Sequence, residues 1–246
     1  MSVGNMITGI RTPQILPEAD FMIKLLQEVK IGDTTVYITT THVALFIISL
    51  ALITFAVAAN RVLKKANPDD TPGMFQNIVE LAVDMLGGMV RTILGPNAYR
   101  FVNYISAIFI FIMVSNISGL FGLRPPTADY GVTLPLGLIT FGIIQYCGIK
   151  KNKLEHFTGL FKPLPFLFPI NLIGEIATPI SLSLRLFGNI LSGTIMMGLV
   201  YGMFPILVKF GVPAVCHIYF DIFSGCIQAY VFCMLTMTYV NDKIAD

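Results

Sequence analysis

Charge is what this chain has least of. Of its 246 residues, 12% are charged and 55% are hydrophobic, and the mean hydropathy is +0.76. Ordinary soluble domains carry about 25% charged residues. The formal net charge of +2 is too small to indicate binding to nucleic acid. This scarcity excludes a soluble globular protein and predicts an integral membrane protein.

Tryptophan is absent, and there are only four cysteines and three histidines. The cysteines fall in apolar stretches without the spacing of metal ligands, which favours simple packing over disulfides or metal binding. The histidines are scattered along the sequence, and no serine-hydrolase, zinc-protease or phosphate-loop motif occurs. We therefore expect no catalytic residue, no metal and no cofactor.

Long apolar runs separate the few charges. They are continuous and longer than the alternating segments of about 10 residues that build a membrane β-barrel. The predicted fold class is therefore all-α integral membrane, with about five membrane-embedded helices plus an amphipathic surface helix. The helices are predicted at about 41–60, 99–121, 132–149, 165–200 and 203–240, and the amphipathic helix at about 74–93.

Two basic clusters predict the orientation. One follows the first span at residues 61–65, and the other follows the third span at 150–153. Loops rich in Lys and Arg face the cytoplasm. We expect a multi-pass protein of the cell inner (plasma) membrane, with its N-terminus outside and its C-terminus in the cytoplasm. Residues 1–40 show no signal-peptide pattern and are predicted to form an extracytoplasmic or interfacial segment, and 41–246 one membrane domain.

The last two predicted helices form a long tilted hairpin that reverses near residues 201–205. Each arm of about 35 residues would measure about 52 Å, whereas the hydrocarbon core is about 30 Å thick. These arms must tilt, break or protrude.

One arginine, Arg185, lies in the middle of the apolar residues 180–191. A charge at the centre of a membrane helix costs about 2.5–3.5 kcal/mol on translocon scales, so it is usually kept for a function such as an ion pathway. Its companions at helical steps of three and four are all small: Gly174, Thr178, Ser181, Gly188 and Ser192. Because small faces permit close approach, we predict that Arg185 faces a passing partner with anionic groups.

A polar stripe occupies one face of the second arm, formed by His217, Asp221, Ser224 and Gln228. Buried ionisable groups in membranes are functional candidates, and this set predicts a wetted path for protons or ions. The alternative is hydrogen bonding between helices, such as an Arg185–Asp221 pair that only holds the hairpin shut. Glu175, near the end of the first arm, either contributes to the ion path or only snorkels to the interface.

Residues 181–190 (SLSLRLFGNI) resemble the signature of subunit a of rotary F-type ATP synthases. Other stretches are similar to further parts of that family, namely 169–179 (PINLIGEIATP), 115–122 (SNISGLFG), 126–129 (PTAD) and 227–239 (IQAYVFCMLTMTY). The resemblance extends over most of the chain from about residue 40 onward.

The resemblance implies an ion-translocating stator subunit, for protons or Na⁺, without an active site of its own. It implies two half-channels against a rotating ring of c subunits, which couple ion flow to ATP synthesis. Arg185 would release the ion from each ring carboxylate and block leakage, with Asn189 and Gln228 beside it. The implied partners are the c-subunit ring, the peripheral-stalk b subunits, other ATP synthase subunits and the lipid bilayer. Secondary candidates for lining the half-channels are Glu80, Asp84, Asn116 and Gln145.

One departure from the family pattern concerns an acidic side chain. Many bacterial members carry Glu nine residues after the arginine, where this chain has Thr194. Many of those also carry His seven residues before the glutamine of the last helix, where this chain has Asp221. Because the arms form a hairpin, both positions could line one half-channel, and we interpret the difference as a compensated exchange.

Two other functions compete with this interpretation. A self-contained secondary ion transporter would usually show repeated halves with paired broken helices, and no such symmetry is visible in the sequence. A purely structural membrane scaffold would leave the arginine dispensable.

Overall fold

The computed structural model of the protein describes residues 25–31, 34–65, 73–121, 123–152, 166, 168–203 and 211–244. Within these ranges, five helical segments are long and apolar enough to cross a membrane. The predicted fold class, a helical integral membrane protein with about five membrane helices, is confirmed.

The helices follow the predicted apolar runs closely. The first five are α1 (Thr40–Lys65), α2 (Met74–Leu94), α3 (Ala98–Ile117), α4 (Tyr130–Asn152) and α5 (Phe168–Met203). The last arm consists of α6 (Val212–His217), a π-helical segment (Ile218–Ser224) and α7 (Gly225–Ile244), which follow one another without a gap. Short 3-10 turns lie at Gly95–Asn97, Ser118–Phe121 and Pro126–Ala128.

A short antiparallel hairpin precedes α1. Its strands are β1 (Leu25–Ile31) and β2 (Thr34–Thr39), paired from Ile31 with Thr34 to Leu25 with Thr39, with one irregularity between Leu25 and Gln27. This hairpin belongs to the N-terminal segment that was predicted to precede the membrane domain. Residues 1–24 of that segment lie outside the described part of the chain.

The apolar stretch Met74–Phe121 is broken into two helices. By composition it reads as one segment of 48 residues, but α2 ends at Leu94 and α3 starts at Ala98. Gly95 adopts φ +50°, a left-handed conformation that glycine tolerates, and Pro96 provides no backbone N–H for a continuing helix. In α2 one face is buried (Val79, Leu86, Gly87, Val90 and Leu94), as the predicted amphipathic helix requires.

The core is formed where α3, α4 and α7 pack together, with α2 and α5 against them. Helix α3 contributes Ile105 and Ile112, and α7 contributes Phe232, Cys233 and Met237, each at most 1% exposed. Because lipid tails are as apolar as these side chains, close packing rather than the hydrophobic effect holds such helices together.

Two glycines permit the closest helix contacts. A Cβ at Gly225 in α7 would lie 2.9 Å from Cβ of Asn116 in α3. A Cβ at Gly137 in α4 would lie 2.7 Å from the carbonyl oxygen of Pro179 in α5. Any larger side chain at either position would push two helices apart.

Helix α5 continues through residues 201–203, where the hairpin was predicted to reverse, and the last arm starts at Val212. Residues 204–210 lie outside the described part of the chain. Pro213 occupies the second position of α6, where its missing N–H is not needed by the helix. The arm predicted at 203–240 is described at 212–244.

Candidate functional site

Arg185 is exposed on α5 and forms no hydrogen bond or ion pair with the described part of the chain. On its face Gly174, Ser181, Gly188 and Ser192 are also exposed, and Thr178 is half-buried. The opposite face of the helix is buried through Leu182, Leu186 and Ile190. Arg185 and its small neighbours therefore form an exposed face of α5, which no other described part of the chain covers. We call it the open face.

Asp221 is paired with a histidine and not with the arginine. The Oδ2 atom of Asp221 lies 2.6 Å from Nδ1 of His217, one helical turn earlier. The other ring nitrogen of His217 lies 3.2 Å from the hydroxyl of Tyr201 on α5. The Arg185–Asp221 pair considered from the sequence is absent among the described contacts, and the arginine does not hold the hairpin shut through it.

The π-helical segment carries this pair. It spans Ile218–Ser224, so Asp221 lies at its centre and His217 directly before it. A π-helical turn widens the backbone and turns the following side chains, and such segments are frequent at functional sites. Gly119, in the turn after α3, lies against this pair, since a Cβ at that position would be in van der Waals contact with Oδ2 of Asp221 at 3.6 Å.

Further polar contacts join the last arm to its neighbours. The hydroxyl of Ser224 donates to Oδ1 of Asn189 on α5 at 2.8 Å. The amide of Asn116 on α3 donates to the carbonyl oxygen of Gly225 at 3.0 Å, and its Oδ1 accepts from the hydroxyl of Thr127 at 2.7 Å. We call Asp221, His217, Tyr201, Ser224, Asn189, Asn116 and Thr127 the Asp221 cluster.

Asn189 of this cluster and Gln228 on α7 have unused donors. The Nδ2 atom of Asn189 and the Nε2 atom of Gln228 are buried and lack a hydrogen-bond partner among the described residues. Leaving a buried donor unsatisfied costs about 1–3 kcal/mol. These N–H groups are available to donate to water or to an acceptor group of a partner chain.

A second polar cluster surrounds Glu175, ten residues before Arg185 on α5. Its Oε1 accepts from Nζ of Lys243 at the end of α7 at 2.6 Å, and its Oε2 accepts from Nε2 of Gln145 on α4 at 3.1 Å. A cavity of about 270 Å³ opens here and is also lined by Thr178, Tyr239 and Asp242. We call Glu175, Gln145, Lys243, Thr178 and Tyr239 the Glu175 cluster. Glu175 is thus tied to two other helices and does not simply snorkel.

The clusters contain most of the residues that the sequence nominated. Arg185 and Ser181 lie instead on the open face of α5, and Gln228 is buried on α7 one turn after Ser224. Glu80 and Asp84 lie on α2, where Glu80 accepts from Gln76 at 2.8 Å, and no described contact joins either to a cluster. The two arms are in contact at Gly193 and Phe220, since a Cβ at Gly193 would lie 3.4 Å from Cβ of Phe220. Thr194 directly follows the first of these residues, and Asp221 directly follows the second. The arms are therefore adjacent where the exchanged acid was predicted.

Sequence reasoning did not nominate four cluster members: Lys243, Thr127, Tyr201 and Tyr239. Their partners lie on other elements, so no local spacing in the sequence could have indicated them. Among the described residues, no group of three His, Cys, Asp or Glu side chains could hold a metal ion.

Comparison with known proteins supplies the family. Residues 41–241 match the family described as ATP synthase A chain. The chain is 32% identical to "ATP synthase subunit a, sodium ion specific" of Propionigenium modestum, over 98% of this chain and 90% of that protein. It is also 32% identical to ATP synthase subunit a of Moorella thermoacetica, over 87% and 94%. A chloroplastic subunit a of Stigeoclonium helveticum is 33% identical, over 79% and 80%.

The match includes nearly all of the five membrane-length helices and both clusters apart from Lys243. It also removes support from the two competing functions, a self-contained transporter and a structural scaffold. The chain belongs to the ATP synthase A chain family and is a multi-pass, ion-translocating subunit of the membrane sector of an ATP synthase complex.

Proposed function

We propose that this subunit forms two half-channels that meet a rotating ring of c subunits at Arg185, and so couples ion flow to ATP synthesis. The observation that carries the proposal is the position of the arginine. It lies unpaired on an open face of α5, between two polar clusters that are attached to different ends of the helix bundle. The open face is where the ring would pass.

The two clusters supply the two half-channels. Glu175 precedes Arg185 by ten residues and Asn189 follows it by four, which correspond to about 15 Å and about 6 Å along the helix axis. The Glu175 cluster includes Lys243 at the end of α7. The Asp221 cluster includes Thr127, in the connection between α3 and α4. Ions would therefore enter and leave at opposite membrane surfaces and reach the ring at different points.

The orientation follows from the basic residues. Lys150 and Lys151 in the last turn of α4, like Lys243 in the last turn of α7, favour the cytoplasmic surface. The Glu175 cluster would then open to the cytoplasm and the Asp221 cluster to the outside, with the N-terminus outside. Peripheral-stalk b subunits would hold this subunit still while the ring turns.

Arg185 would work through the ionisation of the ring carboxylate. A carboxylate facing lipid stays neutral or ion-bound because ionisation is costly there. Opposite a guanidinium the charged form is favoured, so the carboxyl group releases its proton or Na⁺ into one cluster. After passing the arginine it takes up an ion from the other cluster. The guanidinium stays protonated in proteins, and so it blocks direct leakage between the two paths.

An Arg185→Lys variant tests this role. The synthase complex is reconstituted into vesicles and ATP-driven pumping is followed by quenching of an acridine dye, with and without sodium. We expect pumping to fall on the order of tenfold or more, because an ammonium has a different donor geometry and can lose its proton when buried. The matched control is Arg91→Lys on the exposed surface of α2, which should pump normally. Normal pumping by Arg185→Lys would reject the proposal.

Cross-linking tests the partner surface independently. A photo-reactive residue at Ser192, on the open face, should capture a ring subunit in native membranes. The same residue at Ile47, an exposed position on α1, should capture lipid or another subunit. Comparing the pumping assay with and without sodium distinguishes H⁺ from Na⁺ as the coupling ion. The similarity to a sodium-specific subunit a makes this comparison worthwhile.

A further inference from the structure

A cavity of about 640 Å³ opens where the start of α3 meets the ends of α4 and α7. Three basic side chains line it: Arg100 from the first turn of α3, and Lys150 and Lys151 from the last turn of α4. None of the described residues that line this cavity is acidic. We call it the basic pocket. It lies apart from both polar clusters, and the ion path described above makes no use of it.

Aromatic rings orient two of the cations of the basic pocket. The guanidinium of Arg100 lies 5.2 Å from the ring centre of Tyr99, and its Nε donates to the hydroxyl of that tyrosine at 2.7 Å. The ammonium of Lys150 lies 5.6 Å from the ring centre of Tyr146. The ammonium of Lys151 donates to the carbonyl oxygen of Ile244 at 2.8 Å. Arg100 and Lys150 form no ion pair with the described part of the chain, so an anion would balance their charge.

Three apolar side chains also line the basic pocket and form its apolar floor: Phe101 on α3, and Ile143 and Cys147 on α4. The rest of the lining is Asn97, Tyr146 and Ile244. Ile143 precedes Lys150 by seven residues, which places it about 10 Å further along the helix axis toward the middle of the membrane. The pocket is therefore cationic at the level of the lipid headgroups and apolar below it.

We propose that the basic pocket binds an anionic phospholipid of the surrounding leaflet, with its phosphate against Arg100 and Lys150 and the start of its acyl chains against Phe101 and Ile143. Basic pockets between membrane helices on the cytoplasmic side recognise such headgroups. A free phosphate would contact the cations and leave the apolar side chains of the pocket without a partner. An acidic peptide would likewise offer no long apolar group to pack against those side chains. The two-part lining fits a molecule that is itself charged at one end and apolar at the other.

Native mass spectrometry of the full chain in mild detergent tests the proposal. The probes are phosphatidylglycerol and phosphatidylcholine of the same chain length. The pocket variant is Arg100→Gln/Lys150→Gln. Its control is Arg61→Gln/Lys64→Gln, which removes the same charge from exposed residues at the end of α1. We expect phosphatidylglycerol to bind the pocket variant roughly thirtyfold more weakly than wild type, or about fivefold for each cation removed, and the control to bind like wild type.

Three results would overturn the proposal. Equal weakening in both variants would mean that general surface charge attracts the lipid. Equal affinity for phosphatidylcholine would mean that the phosphate charge is not recognised. Displacement of the lipid by millimolar inorganic phosphate would identify a free-anion site without a role for the apolar floor. Circular dichroism of both variants shows whether they fold alike, and a Lys150→Arg variant, which keeps the charge, should bind as wild type does.

Discussion

Asp221 and Glu175 are both carboxylates held between membrane helices, but their partners differ. Asp221 is paired with His217, whose imidazole has two nitrogens that can each donate or accept a hydrogen bond. Glu175 contacts the ammonium of Lys243, which can only donate, and the amide of Gln145. The first pair can pass a proton along without losing its geometry. The second is an ion pair that must open before the carboxylate can take up an ion.

The surroundings of the two carboxylates differ in the same sense. Asp221 lies in a π-helical segment and close to Gly119, within an interface that the amide of Asn116 reinforces. Glu175 borders an open cavity at a helix end. The comparison suggests that the Asp221 cluster is a narrow relay of fixed side chains, and that the Glu175 cluster is a wider entrance bordered by a breakable ion pair. The following variants are chosen to challenge that distinction.

The largest effect is expected for Asp221→Asn. The side-chain oxygen can still accept a hydrogen bond from His217, so the geometry is kept while the charge and the proton acceptor are lost. We expect pumping by vesicles with the reconstituted complex to fall on the order of 10- to 100-fold, with normal assembly. Asp129→Asn is the matched control, because its oxygen can still accept from the backbone N–H of Gly131.

The exchange between the two arms gives a rescue for the same experiment. Adding Thr194→Glu to Asp221→Asn should restore a measurable part of the pumping, since Gly193 and Phe220 bring the two arms together next to these positions. Full pumping by Asp221→Asn alone would show that this carboxylate only holds helices together. If the double variant pumps no better than Asp221→Asn alone, the predicted exchange of the acid between the two arms is contradicted. The proposed role of Asp221 itself would still stand.

A smaller, salt-sensitive effect is expected at the second carboxylate. Lys243→Gln removes the ammonium that lies 2.6 Å from Glu175, and Glu175→Gln removes the carboxylate charge from the same contact. Each should slow pumping by about two- to tenfold, because partly exposed ion pairs contribute about 1 kcal/mol and are screened by salt. A double-mutant cycle on initial pumping rates at low and high ionic strength measures the coupling. Strictly additive effects at both ionic strengths would mean that the pair does not govern entry.

Much of the fold was accessible from the sequence, for a physical reason. Membrane helices must satisfy their own backbone hydrogen bonds, so a long apolar run reports a helix almost directly. The break in Met74–Phe121 was also visible, because the charges on residues 74–93 indicated an amphipathic helix rather than a span. The extension of α5 to Met203 was not visible, since apolar residues continue through both arms and no strong signal marks the end of the first arm.

The candidate site was predictable only where its contacts are local. The His217–Asp221 pair follows from a spacing of four residues on one helix. The contact between Glu175 and Lys243 joins positions 68 residues apart, and that between Asn116 and Gly225 joins positions 109 apart. Such contacts depend on how helices pack, and a residue pattern within one helix carries no information about them. For the same reason Lys243 was missed although its partner was named.

The smallest effect should come from changing the packing of the Asp221 cluster without changing its charges. In Gly225→Ala the new Cβ would lie 2.9 Å from Cβ of Asn116, so α3 and α7 must separate and the 3.0 Å bond from Asn116 to the carbonyl oxygen of residue 225 must lengthen. We expect a loss of about 1–3 kcal/mol in stability, measured as a lower melting temperature of the purified chain in detergent.

Gly142→Ala in α4 is the control for this packing variant. A Cβ there would have no neighbour within 4 Å, so stability should stay the same or rise slightly with helix propensity. Because the relay needs fixed side chains, Gly225→Ala should also slow pumping by about twofold to threefold when the rate is expressed per assembled complex. If it pumps normally per assembled complex, the Asp221 cluster tolerates looser packing, and the distinction from the wider entrance at Glu175 must rest on the partners of the two carboxylates alone.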